Sequence, residues 1–126
     1  KIILLILIVL MTATSFAQGQ TNRDSTSNAV QYRLFATRNM WTFVKLNTRN
    51  GQMWQVQYGM SSKERFETVL SLERQVTQEM ETNDRFTLYP TQNTYTFILL
   101  DQYDGRMWQI QWSTNEKERG IVSRIL

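Results

Sequence analysis

The sequence predicts a mainly β protein built from two tandem hairpin repeats. A shift of 54 residues aligns 32–65 with 86–119 without a gap, and 14 of the 34 aligned pairs are identical. Apolar and polar residues alternate in both copies of the segment that begins Met-Trp-Gln, which is the period of a half-buried strand. A glycine-containing turn cluster precedes each of these segments. We therefore expect two hairpins that pack as a small antiparallel sandwich or a partly open barrel.

Each repeat opens with a short strand and continues into a hairpin. The outgoing strand of the second repeat, Thr94–Leu100, is dense in β-branched and aromatic residues. The cluster Asp101–Gly105 follows it, and Asn47–Gly51 matches it in the first repeat. The glycine of each cluster lies where a type I turn with a bulge requires a positive φ. The sequence therefore predicts a tight turn at both places.

The returning strands predict where the core lies. Side chains of Trp54 and Val56 point to one face, and Trp108 and Ile110 do the same in the second repeat. One hairpin cannot bury such a face alone, so the two copies are expected to supply each other with a core. This predicts that both tryptophans are buried against each other under pseudo-twofold symmetry.

The connector 61–85 leaves two alternatives open. Ser61 and Glu64 have the spacing of a capping box, and apolar residues recur near helical spacing after them. The matching end of the second repeat, Gly120–Leu126, is β-branched, which predicts a strand over Phe66–Leu72. A short helical turn is expected around Glu73–Glu81.

The first 30 residues predict export. Lys1 precedes the apolar run Ile2–Met11, and small residues at Ser15 and Ala17 suit a signal peptidase. We expect a signal peptide over 1–17, a disordered polar leader over 18–30, and a single β domain over 31–126 with repeat 1 at 32–72 and repeat 2 at 86–126. Cleavage near Ala17 would give a secreted or periplasmic protein with no membrane span in the mature chain.

The runs Leu34–Tyr58 (LFATRNMWTFVKLNTRNGQMWQVQY) and Leu88–Trp112 (LYPTQNTYTFILLDQYDGRMWQIQW) resemble a family of small exported bacterial proteins without an assigned activity. The resemblance implies duplicated β structure and export, and it brings no catalytic residues. The segment Leu46–Trp54 (LNTRNGQMW) is also similar to hairpins of quinoprotein-type propeller blades. Two repeats cannot close a propeller, which has about four or more blades, so that likeness would require an oligomer.

Few residues suit catalysis. The chain has no histidine and no cysteine, which removes the commonest general base, the thiolate nucleophile and the soft metal ligands. Asp101 and Asp104 flank a turn and could form a hydrolase pair or a calcium site, but Asn47 and Asn50 match them in repeat 1, which favours turn residues bonded to the backbone. We therefore expect no enzyme activity, no cofactor and no metal.

Basic and acidic residues are interspersed along the chain, and its formal net charge is only +3, which disfavours a nucleic-acid partner. The acidic pair Glu79 and Glu81 is expected to be solvated.

The surplus aromatic residues are the candidate binding residues. Trp41 and Phe43, with Tyr95 and Phe97 in repeat 2, are assigned to the face of the outgoing strand opposite the core. That face is either covered by the connector or exposed as an aromatic strip. Tyr103 beside Arg106 is a further candidate, because turns often carry function. The sequence therefore favours an exported, non-enzymatic binding module for a protein partner or a glycan. The alternatives are a homodimer joined through the strip and a carboxylate hydrolase.

Overall fold

The two repeats fold into two four-stranded antiparallel sheets. The computed structural model describes residues 29–126, so the predicted signal peptide and all but the last two residues of the predicted leader lie outside the described residues. The first sheet consists of β1 (Tyr32–Ala36), β2 (Thr42–Asn47), β3 (Met53–Gln57) and β4 (Phe66–Ser71). The second consists of β5 (Phe86–Pro90), β6 (Thr96–Asp101), β7 (Met107–Gln111) and β8 (Gly120–Ile125).

Each sheet is a meander in which strands that follow each other in the chain are neighbours. The register of the repeats agrees, since Leu46 pairs with Met53 and Leu100 pairs with Met107. The sheets lie against each other, with β5 beside β2 and β8 beside β4, and they do not close into a barrel. The predicted antiparallel β architecture is confirmed.

The turns between the hairpin strands have the predicted form. Gly51 and Gly105 have φ angles of 86° and 80°, a region that residues with a Cβ rarely adopt. The side chain of Asn47 accepts a hydrogen bond from the N–H of Arg49, and Asp101 accepts one from Tyr103. The same turn chemistry therefore shapes both hairpins.

The connector contains 3₁₀ turns instead of a longer helix. Ser62–Glu64 and Gln78–Met80 each form one such turn, and β4 lies where the strand alternative placed it. Between β4 and β5, the N–H of Gln75 bonds the carbonyl of Asn50, and Val76 is buried in the core. The connector therefore covers the first hairpin turn at the end of the core.

Each sheet has two distinct faces. We call the face that carries Trp54 or Trp108 the tryptophan face, and the face that carries Met53 or Met107 the methionine face. The second sheet buries its tryptophan face, which contributes Phe86, Leu88, Phe97, Leu99, Trp108, Ile110 and Trp112 to the core. The first sheet buries its methionine face, which contributes Val44, Leu46, Met53 and Gln55.

The two sheets therefore stack head to tail. Trp108 is buried, as predicted, but the prediction that Trp54 is a core residue is wrong, because Trp54 lies half-buried on the outer side of the first sheet. The expected pseudo-twofold symmetry is wrong for the same reason, since a twofold axis would bury the same face of both sheets.

Polar contacts fix how the sheets stack. The side-chain carbonyl of Gln55, buried in the first sheet, accepts a hydrogen bond of 3.2 Å from the N–H of Ser113. The N–H of Phe86 donates to the carbonyl of Thr48 at 2.8 Å. These directional bonds define one relative position of the two sheets, which apolar packing alone would specify less sharply.

Candidate binding surface

The tryptophan face of the first sheet is exposed. Its large apolar side chains are aligned across four strands by the β register, and several are at least a third exposed. These exposed residues are Tyr32, Leu34, Trp41, Tyr58 and Val69, with Phe43, Trp54 and Val56 half-buried between them. A contiguous apolar area of this kind is typical of an interaction surface.

Ring contacts hold this face in a defined arrangement. Trp41 and Tyr58 pack with ring centroids 5.1 Å apart, and Tyr32 meets Trp54 edge to face at 6.2 Å. The backbone N–H of Tyr58 bonds the carbonyl of Trp41, which fixes the first pair at the end of β3. The side chains are therefore positioned before any partner arrives.

A lysine stands in the middle of the face. The ammonium of Lys45 lies 4.9 Å from the ring centroid of Trp54 and 5.5 Å from that of Tyr32, and it forms an ion pair with Glu67. Cation–π contacts of this type hold a charge over an aromatic surface. The face is thus apolar, with the ion pair of Lys45 and Glu67 at its centre.

A groove of about 390 Å³ opens at one end of the face. It is lined by Trp41, Gln57, Tyr58, Met60 and Glu64. The carboxylate of Glu64 accepts the N–H of Met60 at 2.9 Å, which holds the loop after β3 in place. The groove therefore combines two aromatic rings with amide and carboxylate groups.

Only some of the aromatic residues predicted from the sequence share this surface. Trp41 and Phe43 belong to it. The alternative in which the connector covers them is wrong, because β4 of the connector lies beside β3 in the same sheet and the segment after β4 lies at the end of the core. In repeat 2, Phe97 is only 2% exposed within the core, while Tyr95 is exposed and packs on Trp112 at 4.9 Å. Of the predicted aromatic pair in repeat 2, Phe97 is therefore a core residue, because the second sheet buries its tryptophan face.

The face assignment of the outgoing strand also needs correction. Phe43 pairs with Val56 and Lys45 with Trp54, so Phe43 lies on the same face as Trp54 and not on the opposite one. The side chains that matter but were missed are Tyr32, Leu34 and Tyr58. A signal was present in the sequence: Lys45 stands where repeat 2 has Leu99. A lysine at that position indicates that repeat 1 does not bury this face in the same way.

Tyr103 and Arg106 lie in the turn between β6 and β7, at the other end of the strands from Tyr95. The ring of Tyr103 is exposed and lies 5.1 Å from the guanidinium of Arg85. Arg106 is half-buried and bonds the carbonyl of Gln75 in the connector. The two predicted residues are therefore neighbours in a turn, separate from the tryptophan face of the first sheet.

Asp101 is the centre of a buried ion network. Its carboxylate accepts bonds from Arg85 at 3.0 Å and from Arg106 at 3.2 Å, as well as from the N–H of Tyr103. Asp104 bonds the N–H and the guanidinium of Arg106. Both aspartates thus bond the backbone of the turn, which confirms their interpretation as turn residues.

Charge in this turn is stabilised by its neighbours. Desolvation opposes the charge on Asp104, but the backbone N–H and the guanidinium of Arg106 outweigh it and lower the pKa of the carboxyl. Desolvation also opposes the charge on Arg106, and its bonds to Asp104 and Asp101 raise its pKa nevertheless. The turn is therefore held by opposite charges that remain ionised at neutral pH.

Within residues 29–126, no three acidic side chains come close enough to share a metal ion. The same residues include no helix with the length and hydropathy that a membrane crossing requires.

Comparison with protein-family models, with characterised proteins and with solved structures gives no match.

Proposed function

We propose that the protein is an exported, non-enzymatic binding module whose docking surface is the tryptophan face of the first sheet. One observation carries this proposal: the large apolar side chains of this face are exposed or half-buried, whereas most of the matching side chains of the second sheet form the core. A surface of core composition that remains open gains free energy when a partner covers it. A protein partner fits best, because the face is broad and its groove lies only at one end.

The test is capture by the immobilised protein from envelope fractions, with variants of the two outer faces. Leu34→Glu places a charge in the tryptophan face, and we expect it to abolish capture. Met107→Glu alters the opposite outer face and is expected to leave capture of a foreign protein unchanged. Equal capture by the protein and by the Leu34→Glu variant would contradict the proposal.

A glycan is the second candidate, favoured by the groove. Trp41 and Tyr58 could stack on a sugar ring while Gln57 and Glu64 bond its hydroxyl groups. Binding of soluble glycans that is lost in Trp41→Ala, with the melting temperature retained, would support this candidate. Absence of binding across a broad glycan set would remove it.

A further inference from the structure

The contact between the two sheets supplies a template for a second contact. Inside the molecule, the tryptophan face of the second sheet packs on the methionine face of the first sheet. The outer surfaces of the stack are therefore the tryptophan face of the first sheet and the methionine face of the second sheet. These are the same two kinds of surface that already pack together.

The outer faces are close copies of the inner ones. Five positions of the methionine face are identical between the repeats: Thr42, Leu46, Met53, Gln55 and Gln57 match Thr96, Leu100, Met107, Gln109 and Gln111. Three large residues of the tryptophan face are also identical: Leu34, Phe43 and Trp54 match Leu88, Phe97 and Trp108. What packs inside the molecule is thus repeated on its outside.

Burial differs sharply between the copies. Leu88 is 3% exposed and Leu34 is 61% exposed, although both occupy the same register position of their sheets. Met53 is fully buried, whereas Met107 is 36% exposed. Each outer face therefore lacks a covering of the kind that its inner copy has.

We propose that a second copy of the chain docks the methionine face of its second sheet on the tryptophan face of the first sheet, head to tail. This deepens the proposed function, on which it rests, by naming the partner. Such a contact is heterologous, so copies add until a ring closes. Closed propellers have about four or more sheets, so the smallest ring of this kind contains two copies.

The proposed contact between copies also repeats a polar interaction of the internal contact. Gln109 occupies the position of Gln55, and Gly59 occupies the position of Ser113. The bond from Ser113 N–H to the Gln55 side chain inside the molecule therefore has a counterpart between copies, from Gly59 N–H to Gln109.

The contact between copies differs from the template at one place. Lys45 and Glu67 form an ion pair where the second repeat has Leu99 and Ile121. Covering this pair removes it from water, which is less favourable than covering two aliphatic side chains. The contact between copies is therefore weaker than the internal one, and the assembly is reversible.

Sedimentation of the purified protein at increasing micromolar concentration tests the proposal. We expect association that is lost in Leu34→Glu and also in Met107→Glu, and is unchanged in Met80→Glu, an exposed control in the connector. Melting curves of the variants show whether each is folded. A protein that remains strictly monomeric throughout would overturn the proposal.

A mixture of the two non-associating variants identifies the geometry. The Leu34→Glu chain keeps its methionine face and the Met107→Glu chain keeps its tryptophan face, so we expect a one-to-one complex. A symmetric dimer through two tryptophan faces would instead leave Met107→Glu dimeric and the mixture without a complex, which contradicts head-to-tail docking.

A double substitution that should strengthen association tests whether the contact between copies resembles the internal contact. Replacing Lys45 by Leu and Glu67 by Ile gives the tryptophan face the residues of repeat 2, and we expect association at about tenfold lower concentration. Unchanged association would count against the internal contact as a model for the contact between copies.

The failure of self-docking can be told apart from the failure of the proposed function. A protein that is monomeric but still captures a foreign protein through Leu34 would refute self-docking and leave the proposed function standing. A protein that neither associates with itself nor captures a foreign protein would refute both.

Discussion

Trp108 is enclosed by its own sheet and by the opposite one. It is 6% exposed, its ring lies 6.3 Å from that of Phe86, and the guanidinium of Arg106 lies 5.1 Å from its ring. Trp54 at the same position of repeat 1 has a lysine and an exposed tyrosine for neighbours. One residue type therefore has a core role in one repeat and a surface role in the other.

We expect Trp108→Ala to lower the free energy of unfolding by about 3–5 kcal/mol, because it leaves a cavity in the core. Trp54→Ala at the matching position is expected to lower it by only about 1–2 kcal/mol, since much less buried apolar area is lost. Urea unfolding at concentrations that favour the monomer measures both. Equal losses would contradict the difference in burial.

The ion network around Asp101 predicts that the two aspartates of this turn differ in their contribution to stability. Asp101→Asn keeps the turn geometry, as Asn47 does in repeat 1, but removes the closer of the two carboxylates that pair with buried Arg85. We expect a loss of about 3 kcal/mol, because Arg85 would keep only the more distant and exposed carboxylate of Asp104, at 3.5 Å, as a counter-charge. Asp104→Asn, at an exposed position of the same turn, is the control and should lower stability much less. Urea unfolding distinguishes the two; a similar loss in both would argue against the buried pair.

The lowered pKa of Asp104 fixes the sign of a pH effect. Because the folded pKa lies below the unfolded value of 3.8, the stabilisation is complete at neutral pH and is lost as the pH falls through the folded pKa. The stability difference between the protein and Asp104→Asn should therefore be constant above about pH 5 and shrink below about pH 4. A difference that grows on acidification would contradict this.

Among the elements, the two hairpin turns share the same backbone conformation and yet differ in surroundings. A Cβ added to Gly51 would lie 3.0 Å from Cγ of Gln75, whereas one added to Gly105 would have no neighbour within 4 Å. The connector covers the first turn, and the second turn is open on that side.

Gly105→Ala should therefore lower the free energy of unfolding by about 1–2 kcal/mol, from the positive φ alone. Gly51→Ala carries the same backbone strain and also crowds the connector, so we expect a loss at least about 1 kcal/mol larger. The midpoints of urea unfolding compare them, and an equal shift would mean that the connector does not rest on the first turn.

Strands and turns could be predicted from the sequence because their signals are local. Alternation over Met53–Tyr58 and the glycine at positive φ depend only on neighbouring residues. The choice between strand and helix over Phe66–Leu72 required the comparison with repeat 2, and that comparison gave the observed strand. The 3₁₀ turn at Gln78–Met80 is shorter than a pattern of helical residues can specify.

At the scale of the whole molecule, the pairing of faces could not be predicted in the same way. Both repeats alternate identically, so alternation does not tell which face of each sheet is covered. The placement of Phe97 in the core and of Trp54 at the surface follows from that choice. In the sequence, Lys45 and Glu67 distinguish the tryptophan face of repeat 1, because repeat 2 has Leu99 and Ile121 at these positions.

Head-to-tail stacking leaves two different outer faces on the molecule, which twofold packing would not. A twofold arrangement buries the same face of both sheets and leaves two identical outer faces, whereas stacking leaves one face of each kind exposed. The proposed docking surface and the proposed assembly both depend on this asymmetry.

Thiol labelling tests the asymmetry most directly, because the chain has no cysteine of its own. Single cysteines would replace Leu34, Leu88, Met53 and Met107 in turn, and their modification rates would be measured in dilute protein. We predict rapid modification at 34 and 107 and strong protection at 88 and 53. Equal rates at 34 and 88, or at 53 and 107, would contradict the stacking of unlike faces.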